Sequence, residues 1–309
     1  MGQVSAWRRE KPVVRAAWLV MTLALVMGVS GLMMSSAEAR SGDRRVNFRL
    51  VVENPDDGTE PEVRARRHQE VARMAAERIE KRLEVIGVGD YRVRVLPSND
   101  LEVNVFGRHS AEAIRSAVIP PGRMEIRAVV VDETPWMDLE EMLPEGVEVR
   151  VEPGSFQTDR LYLYSPSAES LHRFLSRVSL GGVGEVMIYP HQEGWRTLNL
   201  GAVLATEQDL NRVELKRTPS AIPFVSTHLK TEVTQEIRAA AALENARHLA
   251  VILDGEVVSL IRFSGRTFSS EMILEVPEFL RTTEARNGWA LQVAGRLAAP
   301  LPITLAELE

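Results

Sequence analysis

Apolar positions change their period along this chain, and each change marks an element. Val46 to Val52 alternates as a strand does. Asn54 to Glu62, rich in Pro, Asp and Gly, reads as a loop. From about Arg64 to Ile86 the apolar residues Val71, Ala72, Ala75, Ile79, Leu83 and Ile86 return at helical spacing, and Gly87 stops the helix. Tyr91 to Leu96 and Leu101 to Phe106 are strands joined by the turn-rich Pro97-Ser98-Asn99-Asp100. Ser110 can cap a short helix to about Val118, and Met124 to Val131 makes a fourth strand. The order βαββαβ predicts a ferredoxin-like module, one antiparallel sheet with two helices on one face. That arrangement hosts many functions and names none.

The pattern is weaker from 132 to 220. Pro135, Pro144 and Pro153 with several acids predict an irregular connector with a short helix near Leu139. Leu161 to Tyr164 is a strand, Ser167 caps a helix to about Val178, and Val186 to Tyr189 is a strand; Gly181-Gly182 between them is a turn. Gly194 to Lys216 holds strands and a short helix of undecided pairing. A last module begins near Ile222, with a strand at Phe224 to His228 and a helix at Glu232 to Asn245. After it, His248 to Leu253, Asp254-Gly255 and Glu256 to Ser259 read as strand, tight turn and strand, since both turn residues need φ > 0. Met272 to Val276 is a strand, Pro277 can open a helix running towards Arg286, and Trp289 to Val293 and Leu301 to Leu305 close the chain. The fold class expected is α+β: a ferredoxin-like basal module plus a smaller α+β head, after an N-terminal signal or anchor helix. The boundaries expected are 1–39, 45–132, 133–220 and 221–309.

The first 39 residues alter the picture most. Arg8, Arg9, Lys11 and Arg15 precede a charge-free apolar run from Ala16 to Met34, and Ala37-Glu38-Ala39 offers small residues where a signal peptidase reads. The run suits either a cleaved signal, with Ala37 and Ala39 at the cleavage site, or a retained anchor long enough to span a bilayer. Either way the positive charges favour a cytoplasmic N-terminus and an external body. That body is periplasmic, or anchored in the inner membrane and facing the periplasm. Arg64-Ala65-Arg66-Arg67 reads as a solvated helix start ahead of a lipid-headgroup contact. The net charge of −6 does not suggest nucleic-acid binding. With no cysteine there is no disulfide, thiolate metal site or cysteine nucleophile.

The last sixty residues carry a resemblance. The helix at Glu232 to Glu244, the L-A-V-I-L-D-G-E-V-V-S core from Leu249 to Ser259, and Leu297-Ala298-Ala299-Pro300-Leu301-Pro302-Ile303 together resemble the head of the first periplasmic domain of the SecD family, accessory subunits of the bacterial preprotein translocase. Arg78 to Gly87 is similar to that family's R-R-V-x-x-L-G-V segment, and Met124-Glu125-Ile126-Arg127 to its L-E-F-R strand; Gly194 to Leu198 is similar to a linker in some relatives. These are packing signatures. The family's G-L-D-L-x-G-G segment is replaced here by Arg45 to Leu50, its Ala-Pro after the hairpin by Leu260-Ile261, and its later transmembrane helices have no counterpart up to Glu309.

The resemblance implies a non-catalytic protein that assists export, with unfolded exported polypeptides and Sec translocase subunits as partners, the membrane as a partner if the N-terminal segment stays, and no cofactor. The alternative is a periplasmic adaptor that keeps the scaffold without transport. In the family the head is thought to contact unfolded polypeptide. Leu260, Ile261, Phe263 and Phe268 are therefore the candidate contact residues, with Phe268 expected to stand out from the polar Ser264 to Ser270 loop, and Asp254 and Gly255 are turn formers. The six histidines show no i,i+4 pair, no G-x-S-x-G elbow exists, and Gly181-Gly182-Val183-Gly184 lacks the Lys-Ser/Thr of a phosphate loop.

Overall fold

A computed structural model describes residues 44–308 except 54–59, 131–135, 137–138, 140–141, 153–159, 179–184, 192, 244–245 and 265–267. The signal or anchor expected at 1–39, with Ala37 and Ala39, therefore lies outside the described residues, as do Gly181 to Gly184 and most of the connector near Leu139. Among the described residues no helix is long and apolar enough to cross a membrane. In chain order the elements are β1 (Arg44–Val52), α1 (Pro61–Val85), β2 (Asp90–Val95), β3 (Leu101–Gly107), α2 (Ala111–Val118), β4 (Met124–Val129), β5 (Glu148–Glu152), β6 (Arg160–Ser165), α3 (Ala168–Leu175), β7 (Glu185–His191), β8 (Gly194–Thr206), β9 (Leu210–Arg217), β10 (Pro223–Leu229), α4 (Thr231–Leu243), β11 (His248–Leu253), β12 (Glu256–Arg262), β13 (Glu271–Glu275), α5 (Thr283–Ala298) and β14 (Leu305–Leu308). The mixture of helices and antiparallel sheets is the α+β class expected.

The local signals act as read. Ser110 accepts from the Ala113 amide at 3.2 Å and Ser167 from Ser170 at 3.3 Å, so both short helices start at a side-chain cap. Helix α1 buries Ala72, Ala75, Ile79 and Leu83, one stripe at helical spacing. Burial of Ile79 and Leu83 contributes about 2 kcal/mol each. The stripe lies on a four-stranded sheet ordered β14-β1-β3-β2, whose alternate residues Val46, Phe48, Leu50 and Val52 and Leu101, Val103 and Val105 face the same core.

That sheet corrects the expected topology. Its fourth strand is the chain's end, β14, which pairs antiparallel with β1 through Val52↔Leu305 and Arg49↔Leu308. The segment at Met124 to Val129, expected in this place, goes elsewhere. Its Met124, Ile126, Ala128 and Val129 are all buried, so it needs cover on both faces, and it pairs with β11 on one side and β8 on the other. Arg115 of α2 clasps Glu307 at 2.8 Å and fixes the terminal strand to the module that begins the chain. The end differs too. Trp289 to Val293 lies within a helix, because Thr282 caps the Ala285 amide at 3.1 Å and Ala290, Leu291, Val293, Ala294 and Leu297 form one buried stripe. Pro277 opens a turn rather than this helix, and the closing strand starts at Leu305.

Two more sheets build the rest. β13-β10-β9 is a three-stranded sheet, with α4 and α5 contributing to the core it shares with β4 and β11. The largest sheet joins β12, β11, β4, β8, β6, β5 and β7. Its long strand β8 pairs with β6 near its start and with β4 along its second half. Leu200 has Val129 of β4 on one side and Glu185 of β7 on the other, so β7 lies on the opposite edge of β8.

Candidate functional site

Two features stand out, a buried polar junction and an open cleft, and the β11–β12 hairpin belongs to both. The junction centres on Arg82 of α1, which is fully buried. Its Nε donates to the Ala299 carbonyl at 2.7 Å, Nη1 to Val118 at 2.8 Å, Pro120 at 2.5 Å and Ala117 at 3.4 Å, and Nη2 to Pro121 at 2.7 Å. Burial pushes its pKa down to about 9, with Asp254 opposing and Arg296 and Arg78 assisting, so the guanidinium is charged at neutral pH. One side chain thus collects the carbonyls at the end of α2, in the segment before β4 and after α5.

The Asp254-Gly255 turn completes this junction. Asp254 has φ 53° and Gly255 φ 84°, the conformation a two-residue hairpin turn requires. The Asp254 carboxylate does more than turn the chain. Its Oδ1 accepts from the Gly122 and Arg123 amides, both at 2.8 Å, and Arg296 Nη1 stands 3.5 Å from Oδ2. Arg296 in turn donates from Nε to the Ser116 carbonyl at 3.1 Å. Gly122 has φ 79°, and a Cβ there would lie 2.3 Å from the Arg296 carbonyl and 2.7 Å from Arg82 Nη2. Arg82, Gly122 and Arg296 escaped the sequence reading. The one available signal was an arginine beside Leu83 on the apolar stripe of α1.

The four candidate contact residues are not brought together at the surface. Phe263 and Phe268 are buried, their ring centroids 5.5 Å apart, in the core under α4. The expectation that Phe268 stands exposed is corrected: its carbonyl is held by the Arg238 guanidinium and its ring is interior. The polar residues flanking it hid this, since one aromatic in a polar loop looks the same whether it points out or in. Ile261 packs on that same core, whereas Leu260 packs on a separate cluster of Val129, Leu198, Leu200, Ala250 and Ile252.

That separate cluster backs the cleft. A cavity of about 790 Å³ is walled by consecutive residues of β7, Glu185 to Pro190, and by Gly255 to Val258 at the start of β12, with α3, Phe279 and α5 around it. On β7, Met187 and Tyr189 face the Leu260 cluster while Val186 and Ile188 pack on the core under α3. Both faces of β7 are therefore covered, and its free edge lines the cavity. Burial raises the Tyr189 pKa, with Arg196 opposing and Glu278 assisting, so the phenol stays neutral. Phe279, 47 % exposed, is the most open large apolar group of the lining. The charged residues of the lining are Glu185, salt-bridged to Arg127, the exposed Glu256, and Arg296, with the exposed Glu278 next to the lining residue Phe279.

Three of the six histidines have local partners in the following way. His68 Nε2 lies 2.9 Å from the Val52 carbonyl, His191 stacks edge-on with Tyr162, and His228 lies 3.8 Å from both Glu214 and Glu271. Among the described residues no three His, Asp or Glu side chains are placed to hold a metal ion.

No protein-family model and no curated protein matches this chain. Three solved structures of SecDF are similar to it, each at 18% identity. One, in a super-membrane-facing form, has a TM-score of 0.47 over 87% of this chain and 30% of that one. One, of a membrane component that enhances protein export, has a TM-score of 0.45 over 86% of this chain and 98% of that one. The third, a translocon-associated membrane protein from Thermus thermophilus, has a TM-score of 0.31 over 85% of this chain and 30% of that one. The chain thus spans under a third of the length of two of these three proteins.

Proposed function

We propose that this protein is a non-catalytic, extracytoplasmic module that assists protein export by holding polypeptide in transit. The observation that carries the reading is the cleft between β7 and β12, a cavity of about 790 Å³ with a largely apolar lining in which Glu185, Glu256 and Arg296 are the charged groups. Its size falls in the range of ordinary ligand sites. The L-A-V-I-L-D-G-E-V-V-S hairpin that forms one wall is the segment whose wording resembles the SecD head, and the similar SecDF structure is described as enhancing export. The basic, then apolar, N-terminus supports a body outside the cytoplasm, secreted or held by its first segment. Exported polypeptides and Sec subunits are the partners this reading names. The contact surface moves from the buried Phe263 and Phe268 to the cleft, with Phe279 at its mouth.

The test is in-cell photo-crosslinking from a probe in place of Phe279, with the adducts identified. A spread of exported proteins, or a translocase subunit, supports the reading. A single discrete partner unrelated to secretion replaces it with an adaptor role, and an absence of adducts counts against both.

A further inference from the structure

The largest sheet has a directional peculiarity. Every pairing along β12, β11, β4, β8 and β7 is antiparallel, so strand direction alternates and the two outer strands run the same way. These five strands all contribute to one apolar cluster, built on Val129, Leu198, Leu200, Ala250 and Ile252 with Met187, Tyr189, Val257 and Leu260 packed against it. The sheet is curled around that cluster, and β7 and β12 come within 8 Å of each other between Cα atoms without pairing. Their shared direction forbids the antiparallel closure that every other pair in the sheet makes.

We infer that the gap between β7 and β12 is a strand-acceptor site, which takes an extended polypeptide segment antiparallel to both edges and so completes the curled sheet. This rests on the polypeptide-holding reading and goes further by naming the mode of capture. An edge strand presents a row of unpaired amides and carbonyls, and an added strand satisfies them whatever its side chains. Proteins usually blunt such edges with charge, proline or a bulge. Here the cavity is lined by six successive residues of β7, Glu185 to Pro190, so it is the backbone edge that faces it. The blunting residues among these are at the two ends, Glu185 and Pro190, and Val186 to Tyr189 between them carry neither charge nor proline. At about 3.3 Å per residue that edge accepts roughly six residues of an occupant. On the β12 side the cavity is lined by Gly255 to Val258. The acidic groups there, Glu256 in the lining and Glu278 next to Phe279, fit an occupant with Lys or Arg beside its apolar residues.

The experiment uses the full chain in mild detergent and a fluorescein-labelled peptide of alternating Val and Tyr flanked by Lys. Two further peptides of the same sequence are N-methylated at the odd or at the even residues, so that each has lost the donors facing one edge. The inference expects the parent peptide to bind and both methylated forms to bind about tenfold more weakly or worse. Replacing Phe279 by Ser should weaken the parent severalfold and leave the unfolding midpoint in place. Equal binding of all three peptides overturns strand addition while leaving polypeptide holding intact. Failure of every peptide to bind overturns it also, and the crosslinking from position 279 then judges the broader reading by itself.

Discussion

The turn of the β11–β12 hairpin and the outer edge of β12 beside it are treated in opposite ways. At the turn, Asp254 accepts two amide hydrogens, faces Arg296 and sits one step from Arg82, whose donors all meet carbonyls. Along β12, the outer backbone edge pairs with no strand among the described residues and opens on the cleft. Buried polar groups are costly unless paired, so this densely paired junction, in which Asp254 Oδ2 has the Arg296 charge in place of a hydrogen bond, is where the fold is locked. An exposed edge costs little in water and keeps its hydrogen-bonding capacity for something else. A buried, paired turn and an unpaired edge thus coexist within a single hairpin.

The largest effect should come from Arg82. Replacing it with Met keeps the stem but strands the carbonyls of Val118, Pro120, Pro121 and Ala299, and should cost about 4 kcal/mol. Urea unfolding should show a lower midpoint, and the variant should be the least soluble of the set. Asp254→Ala comes next, at about 2 kcal/mol, since it removes two amide acceptors and places Ala at φ 53°. Asp254→Asn, which tolerates that φ and keeps an acceptor, should lose about half as much. Phe279→Ser lies at the other end of the scale, with a change of about 0.5 kcal/mol or less, because the side chain is already half in water. A large loss of stability there would show that the cleft mouth is part of the core.

The smallest effect is one of pH. Burial holds the His109 pKa below its ordinary value. The unfolded chain therefore takes up a proton before the folded one does, and stability falls as pH drops below about 6.5. Asp100 acts lower down. Burial would raise its pKa, but Ser98 and Arg49, 2.6 Å away, hold it below the ordinary value, so its contribution disappears only as pH falls through the acid range. His109→Gln should flatten the dependence between pH 7.5 and 5.5 in melting experiments and leave the acid limb unchanged.

Much of this was legible from the chain. Helix α1, both Ser caps, the β2–β3 hairpin and the Asp-Gly turn follow from local rules, because each depends on residues within a few positions of one another. What failed depends on partners far along the chain. Nothing in Met124 to Val129 says that it pairs with β11 and β8 rather than with β1, and nothing in Leu305 to Leu308 says that it fills the place left open. Phe268 failed for a similar reason, since burial is decided by α4 above it. The cleft could not be read at all: a strand's period reveals its faces, and this site is made by edges. Of the contact residues the resemblance suggested, Phe263 and Phe268 are interior, and Ile261 and Leu260 pack on two separate clusters.

The most direct measurement is hydrogen exchange on the full chain, with and without an unfolded, lysine-bearing polypeptide in excess. Slowed exchange confined to amides of Glu185 to Tyr189 and Glu256 to Val258, with β2 and β14 unchanged, is the outcome the strand-acceptor reading predicts. Protection spread over the basal sheet, or unchanged exchange along β7 and β12 while polypeptide is bound, would contradict it.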